Sequence, residues 1–145
     1  MKIFAGSDHA GFGLKKILLE NLKKSGYEVF DLGTDNEHSC DYPDFAHLVS
    51  EKVLATPGSM GLLTCGSGLG MSMAANRHPG IRAALCRDAL EARLARQHND
   101  ANILVMGGRI VGEEHAIESA EVFYKTSFSG GRHENRVKKI ETGKK

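Results

Sequence analysis

Short apolar runs alternate along this chain with longer stretches whose apolar residues recur every three or four positions, the periodicities of strands and amphipathic helices. Lys2 to Gly6 reads as a first strand, followed by the polar turn Ser7-Asp8-His9. From Ala10 to Ser25, Leu14, Ile17, Leu18 and Leu22 share one helical face, and Ser25-Gly26 supplies a stop. Tyr27 to Leu32 is a second strand, completing a βαβ unit with a parallel pair and a right-handed crossover. An irregular polar loop, Gly33 to Pro43, leads to a helix from about Asp44 to Ala55. Thr56-Pro57-Gly58 breaks it, and a third strand runs to Cys65.

A short helix starts near Leu69, His78-Pro79-Gly80 is a turn, and Ile81 to Cys86 is a fourth strand. Asp88 is placed to cap a helix over Ala89 to Gln97, which ends in the polar cluster His98-Asn99-Asp100. Asn102 to Met106 is a fifth strand with Gly107-Gly108-Arg109 as its exit loop. Val111 to about Thr126 is helical, Ser129-Gly130-Gly131 is a break, and Arg132 to Glu141 is a final amphipathic helix. Regular alternation of strand and helix predicts an α/β fold, a three-layer sandwich around a five-stranded, mostly parallel sheet.

The length, 145 residues, suits a single domain over 1–145, with a frayed basic tail at 142–145. Nineteen basic against 18 acidic residues leave a formal charge of +1. That balance builds no strong field for nucleic acid or an anionic membrane, so the expected partner is a small molecule. The three cysteines, Cys40, Cys65 and Cys86, contain no CxxC pair and cannot all pair with one another, which points to free thiols in a reducing compartment. No apolar run approaches a membrane span, and the expected location is cytoplasmic.

The stretch from Gly61 to Arg77 holds the candidate chemistry. An apolar strand meets Cys65, then the loop Gly66-Ser67-Gly68-Leu69-Gly70, then a helix start. In a parallel α/β sheet the ligand crevice lies beyond the carboxyl ends of the strands, where Cys65 falls. A helix N-terminus favours thiolate, and glycines let backbone N–H groups approach a ligand oxygen. A base beside an oxyanion cradle is one reading; a buried small hydrophobe before a tight turn is the other. Asp8-His9 and Gly107-Gly108-Arg109 also follow strands and so share that edge of the sheet. Asp8 and His9 could serve a sugar hydroxyl, or simply cap the first helix through an Asx-turn. Gly6 to Gly11 imitates part of a P-loop, but Phe12 stands where lysine is needed, which excludes that site. Arg132 and Arg136, four apart after Gly130-Gly131, can fork around a phosphate or face solvent. His47, His78 and His115 have no ligand-like spacing and read as structural or surface residues; no grouping implies a metal. Cys86, ending an apolar strand, is expected to be buried and inert, and Cys40 to be an exposed loop thiol.

Taken together, Gly6-Ser7-Asp8-His9-Ala10-Gly11, Asp41-Tyr42-Pro43, Cys65-Gly66-Ser67-Gly68-Leu69-Gly70, Ala74-Ala75-Asn76, Arg96-Gln97-His98-Asn99 and Gly130-Gly131-Arg132-His133 resemble the type B isomerases of the ribose/galactose isomerase family. The likeness spans essentially the whole chain in order. It implies a Rossmann-like fold and interconversion of ribose 5-phosphate and ribulose 5-phosphate through a cis-enediolate, without metal or organic cofactor. By the resemblance Cys65 is the base. Ser67 and the N–H groups of Gly66, Gly68 and Gly70 hold the oxyanion, and His98 opens the sugar ring. Asp8 and Tyr42 lie near sugar hydroxyls and Asn99 on the enediolate side, while His9, Arg109, Arg132 and Arg136 surround the phosphate. Many relatives have threonine where this chain has Ser67. Others carry a glutamate base where it has Met71, and lack the cysteine. The family's homodimers, or dimers of dimers, share active sites between chains, with the His98, Asn99 and Arg109 positions coming from the neighbour. Two rivals stay open: an isomerase of hexose 6-phosphates such as allose or galactose 6-phosphate, and a non-catalytic sugar-phosphate-binding module.

Overall fold

Successive side chains of a strand point to opposite faces of its sheet, and in this chain both faces are apolar, the pattern of a parallel sheet covered on each side. The structure, a computed structural model, describes residues 1–141; the frayed tail expected at 142–145 lies outside them. The elements are β1 (Lys2–Ser7), α1 (Phe12–Lys24), β2 (Glu28–Asp31), α2 (Tyr42–Ala55), β3 (Met60–Cys65), α3 (Leu69–Ala75), β4 (Ala83–Leu85), α4 (Ala89–Asn99), β5 (Ile103–Gly107), α5 (Glu113–Lys125) and α6 (Arg132–Ile140). The five strands run in the order β2-β1-β3-β5-β4, and every pairing is parallel. This is the Rossmann-like α/β sandwich expected from the sequence.

The alternation sorts the core into two clusters. Ile3, Ala5, Leu62, Leu104 and Met106 face α1, α4 and α5, where Leu18, Leu22, Ala92 and Phe123 close the layer. Phe4, Leu63, Ile103 and Val105 face α2 and α3, against Val49, Val53, Met71 and Ala75. α6 has no buried residue. No helix among the described residues is long and apolar enough to cross a membrane.

Several element ends shift by a residue or two, and at three elements the shift has a visible cause. α2 begins at Tyr42, so Tyr42 and Pro43 are its first turn rather than loop; proline is suited there because that turn's N–H groups need no helical partner. α4 continues through His98 and Asn99, and Asp100 in a left-handed conformation (φ 46°) ends it. β4 is shorter than Ile81 to Cys86, because side chains take the backbone around its start: Arg82 N–H donates to Asn102 Oδ1 (2.8 Å) and Ala83 N–H to Asn76 Oδ1 (2.8 Å). The Asp88 cap forms as expected, accepting Glu91 N–H at 2.8 Å.

Candidate active site

The sheet order reverses direction at β1 and β3: from β1 the chain goes outward to β2, then returns to place β3 on the other side. Ligand crevices in such sheets lie at that reversal, beyond the strand ends. In register, Ser7 pairs with Thr64 and Cys65 with Gly107, so the loops after β1, β3 and β5 leave side by side. They are stitched together: Gly108 N–H donates to Cys65 O (2.7 Å), Arg109 N–H to Gly66 O (2.9 Å), and Thr64 Oγ1 to Gly11 O (2.8 Å). Gly11 passes so close to the Thr64 carbonyl that a Cβ there would collide with backbone.

These loops enclose a cavity of about 560 Å³ that brings together Asp8, His9, Tyr42, Cys65 and Arg109, with Gly66, Ser67 and Gly70 along its wall. Cys65 is only 4 % exposed, and its Sγ accepts the N–H of Gly68 at 3.1 Å. Gly68 can aim its N–H inward because its φ is 79° and a Cβ would strike Leu85. Its N–H, expected to face a substrate oxyanion, instead holds the sulfur. Ser67 is exposed, and its Oγ accepts Leu69 N–H at 3.2 Å, leaving the hydroxyl hydrogen free to donate. Asp8 is buried and accepts Gly11 N–H at 2.9 Å, so the Asx-turn forms, and the same residue lines the cavity. Gly70 contributes through space: the Tyr42 phenol lies where its Cβ would be. Met71 is fully buried in the core, so this chain presents no acid from that position. Arg109, expected from a neighbouring chain, lines this chain's own cavity, because β5 ends beside β3.

The remaining candidates form a second cluster. His98, in the last turn of α4, stacks on His133 of α6 with ring centroids 4.3 Å apart and planes 10° from parallel. The bond from Ser129 N–H to Gln97 O (3.0 Å) brings the start of α6 there. Burial, then His98, Arg132 and Arg136, lower the His133 pKa below the ordinary imidazole value. None of these groups lines the Cys65 cavity. Asn99 borders a different cavity, of about 580 Å³, with Arg82 and Ile140. The Arg82 guanidinium there is already matched, 3.0 Å from Asp100 and 3.8 Å from Glu141, and no thiol accompanies it.

An anion held by the second cluster should reverse its effect on His133. In a proton NMR titration, His133 should titrate below the usual imidazole range in free protein and move upward when inorganic phosphate is added, since an anion favours the imidazolium. No upward movement would remove the cluster as a phosphate site.

Two arrangements escaped the reading of the sequence. His47 Nδ1 and His78 Nε2 lie 2.7 Å apart, joining α2 to the turn after α3, although neither has a sequence neighbour to suggest it. Lys15 is fully buried, with Nζ 2.5 Å from both Asp31 Oδ1 and Thr34 O. Its spacing from Leu18 and Leu22 on the apolar face was the available signal. Among the described residues no group of three or more His, Cys, Asp or Glu is placed to hold a metal ion.

The other thiols separate as well. Cys86 is buried, and burial with nearby Glu91 and Asp88 pushes its thiol up to about 12, while Cys40 is half-buried rather than exposed. Iodoacetamide at about pH 8 should therefore label Cys40 in native protein and spare Cys86, because only thiolate reacts. Equal labelling, read by peptide mass spectrometry, would contradict the buried placement.

Residues 3–140 match the family described as Ribose/Galactose Isomerase. Ribose-5-phosphate isomerase B of Escherichia coli (strain K12) is 42% identical over 139 residues, covering 96% of this chain and 93% of that protein. A ribose 5-phosphate isomerase from Thermotoga maritima superposes with a TM-score of 0.94 at 52% identity, covering 97% of each chain. Ribose-5-phosphate isomerase B from Mycoplasma genitalium, solved with bound ribulose-5-phosphate, superposes with a TM-score of 0.92 at 45% identity, covering 96% of this chain and 93% of that one.

Proposed function

The chain belongs to the ribose/galactose isomerase family, and from that premise we propose that it interconverts D-ribose 5-phosphate and D-ribulose 5-phosphate through a cis-enediolate, with Cys65 as the proton-transfer base. The observation that carries this reading is the Cys65 sulfur, held by the Gly68 N–H in a cavity that also presents Asp8, His9, Tyr42 and Arg109.

The chemistry follows from those groups. A thiolate at Cys65 takes the proton from C2 of the open-chain aldose. The C–H electron pair becomes the C1–C2 double bond, and the carbonyl pair moves onto O1. That developing charge must be met by donors, a task assigned to the Ser67 hydroxyl and the N–H groups of Gly66 and Gly70. A proton passes from O2 to O1, the Cys65 thiol returns its proton to C1, and the ketose forms. Asp8 and Tyr42 orient the hydroxyls, and His9 and Arg109 take the phosphate from this chain's side.

His98, Asn99, Arg132 and Arg136 complete the site from a second chain in this reading. His98 opens the furanose ring, Asn99 flanks the enediolate, and the two arginines close on the phosphate with bidentate geometry. The separation of the His98 cluster from the Cys65 cavity supports a homodimer, or a dimer of dimers, as the working unit.

The test is proton NMR in heavy water with ribose 5-phosphate, allose 6-phosphate and galactose 6-phosphate in parallel. Conversion of the pentose phosphate with solvent deuterium entering the transferred position is the expected result. Preferential turnover of a hexose phosphate would move the substrate to six carbons with the same chemistry. Binding without turnover of any of the three would leave a binding module.

A further inference from the structure

His9 reaches the cavity from the turn after β1, and one of its ring nitrogens is already engaged. The backbone N–H of Cys40 donates to His9 Nδ1 at 3.2 Å. A nitrogen that accepts a hydrogen bond cannot carry a proton, and a neutral imidazole has one N–H. We propose that the Cys40 backbone fixes the tautomer of His9, leaving its single proton on Nε2, so that His9 meets the substrate phosphate as a neutral N–H donor. This rests on the reading of His9 as a phosphate contact, but the tautomer is a property of the free protein.

The loop that carries the donor is anchored at its start. Leu32 N–H donates to Ala5 O (2.8 Å), Ser7 N–H to Gly33 O (2.7 Å) and Thr34 N–H to Ser7 O (2.9 Å), which lay residues 32–34 along the end of β1. Beneath them the buried Lys15 ammonium ties Thr34 O to Asp31 Oδ1, and Asp31 Oδ1 in turn accepts Gly33 N–H at 2.9 Å. The loop leaves this anchor next to Asp8-His9 and comes back to His9 at Cys40. Cys40 is thus a positioning residue through its N–H, and its thiol has no part in the role.

Two-bond proton–nitrogen NMR on nitrogen-15-labelled protein, with His9 identified by loss of its signals in His9→Asn, tests the assignment without substrate. Near neutral pH, Nδ1 should show the shift of an unprotonated ring nitrogen and Nε2 that of an N–H. In Cys40→Pro, which lacks the N–H, the two shifts should move toward an average of tautomers; Cys40→Ala should match wild type. In turnover of ribose 5-phosphate, Cys40→Ala should keep KM within about twofold, while Cys40→Pro should raise KM about tenfold with a smaller change in kcat, the size of one lost oriented hydrogen bond to an ionic group. A proton on His9 Nδ1 in wild type, alone or with Nε2, overturns the proposal, and so does identical behaviour of the alanine and proline variants. If Cys40→Pro does not fold, the wild-type spectrum decides. The expected tautomer in a protein that fails to convert ribose 5-phosphate would overturn the functional reading and leave this one standing.

Discussion

Cys65→Ala should lower kcat on ribose 5-phosphate by about a hundred- to ten-thousand-fold and leave KM within a few-fold, the signature of a lost general base rather than a lost binding contact. The substitution removes one sulfur from a site only 4 % exposed, and alanine fits the end of β3 without disturbing its pairing with β5. Met71, where some relatives carry a glutamate base, is an apolar side chain buried in the core and takes no proton in its place. Deuterium wash-in from heavy water should fall with turnover in the variant. Undiminished conversion by Cys65→Ala would assign the proton transfer to another residue, with Asp8 the first to test because it shares the cavity. Arg136→Ala, by contrast, should act mainly on KM, since in the proposed site it removes one of several phosphate contacts.

Mixing two inactive variants should restore activity. In the proposed assembly Cys65 of one chain works with His98 of the other, so a dimer of one Cys65→Ala and one His98→Ala chain contains one site with both residues intact and one with neither. If chains exchange at random, about half of all dimers are mixed and about a quarter of wild-type activity returns, as the two-fold symmetry requires. The expectation stems from the division described above: His98 stacks on His133 beside Arg132 and Arg136, and none of them lines the cavity of Cys65. Activity is measured after co-refolding the variants, with each refolded alone as the control. No recovery in a preparation shown by mass spectrometry to contain mixed dimers would place each site within a single chain.

The strands, the helices and their alternation were legible because hydrophobic periodicity is a local property. Leu62 and Leu63 are consecutive residues that face opposite layers, and Leu14, Leu18 and Leu22 fall on one side of α1. Cys65 and Asp8-His9 stood out for the same reason, since each follows an apolar run and so had to lie at a strand end. The motifs that resemble the isomerase family were equally local. The order of the strands was not, and the order decides what meets what. Placing β3 between β1 and β5 puts Arg109 beside Cys65 in one chain, contrary to expectation, and leaves His98 with α6.

The sequence by itself thus determined which residue types stand at the strand ends, because short-range pattern suffices to set a strand, a turn and a helix start. Only the tertiary structure decided their pairing: the Gly68 N–H on the Cys65 sulfur, the Tyr42 ring over Gly70, the Cys40 N–H on His9, and Lys15 buried under the loop between them. Two of these contacts, Cys40 to His9 and Lys15 to Thr34, join residues 31 and 19 positions apart. Contacts at such separations form only when strand order, loop path and buried charge are satisfied together, and no periodicity in the chain encodes that joint condition.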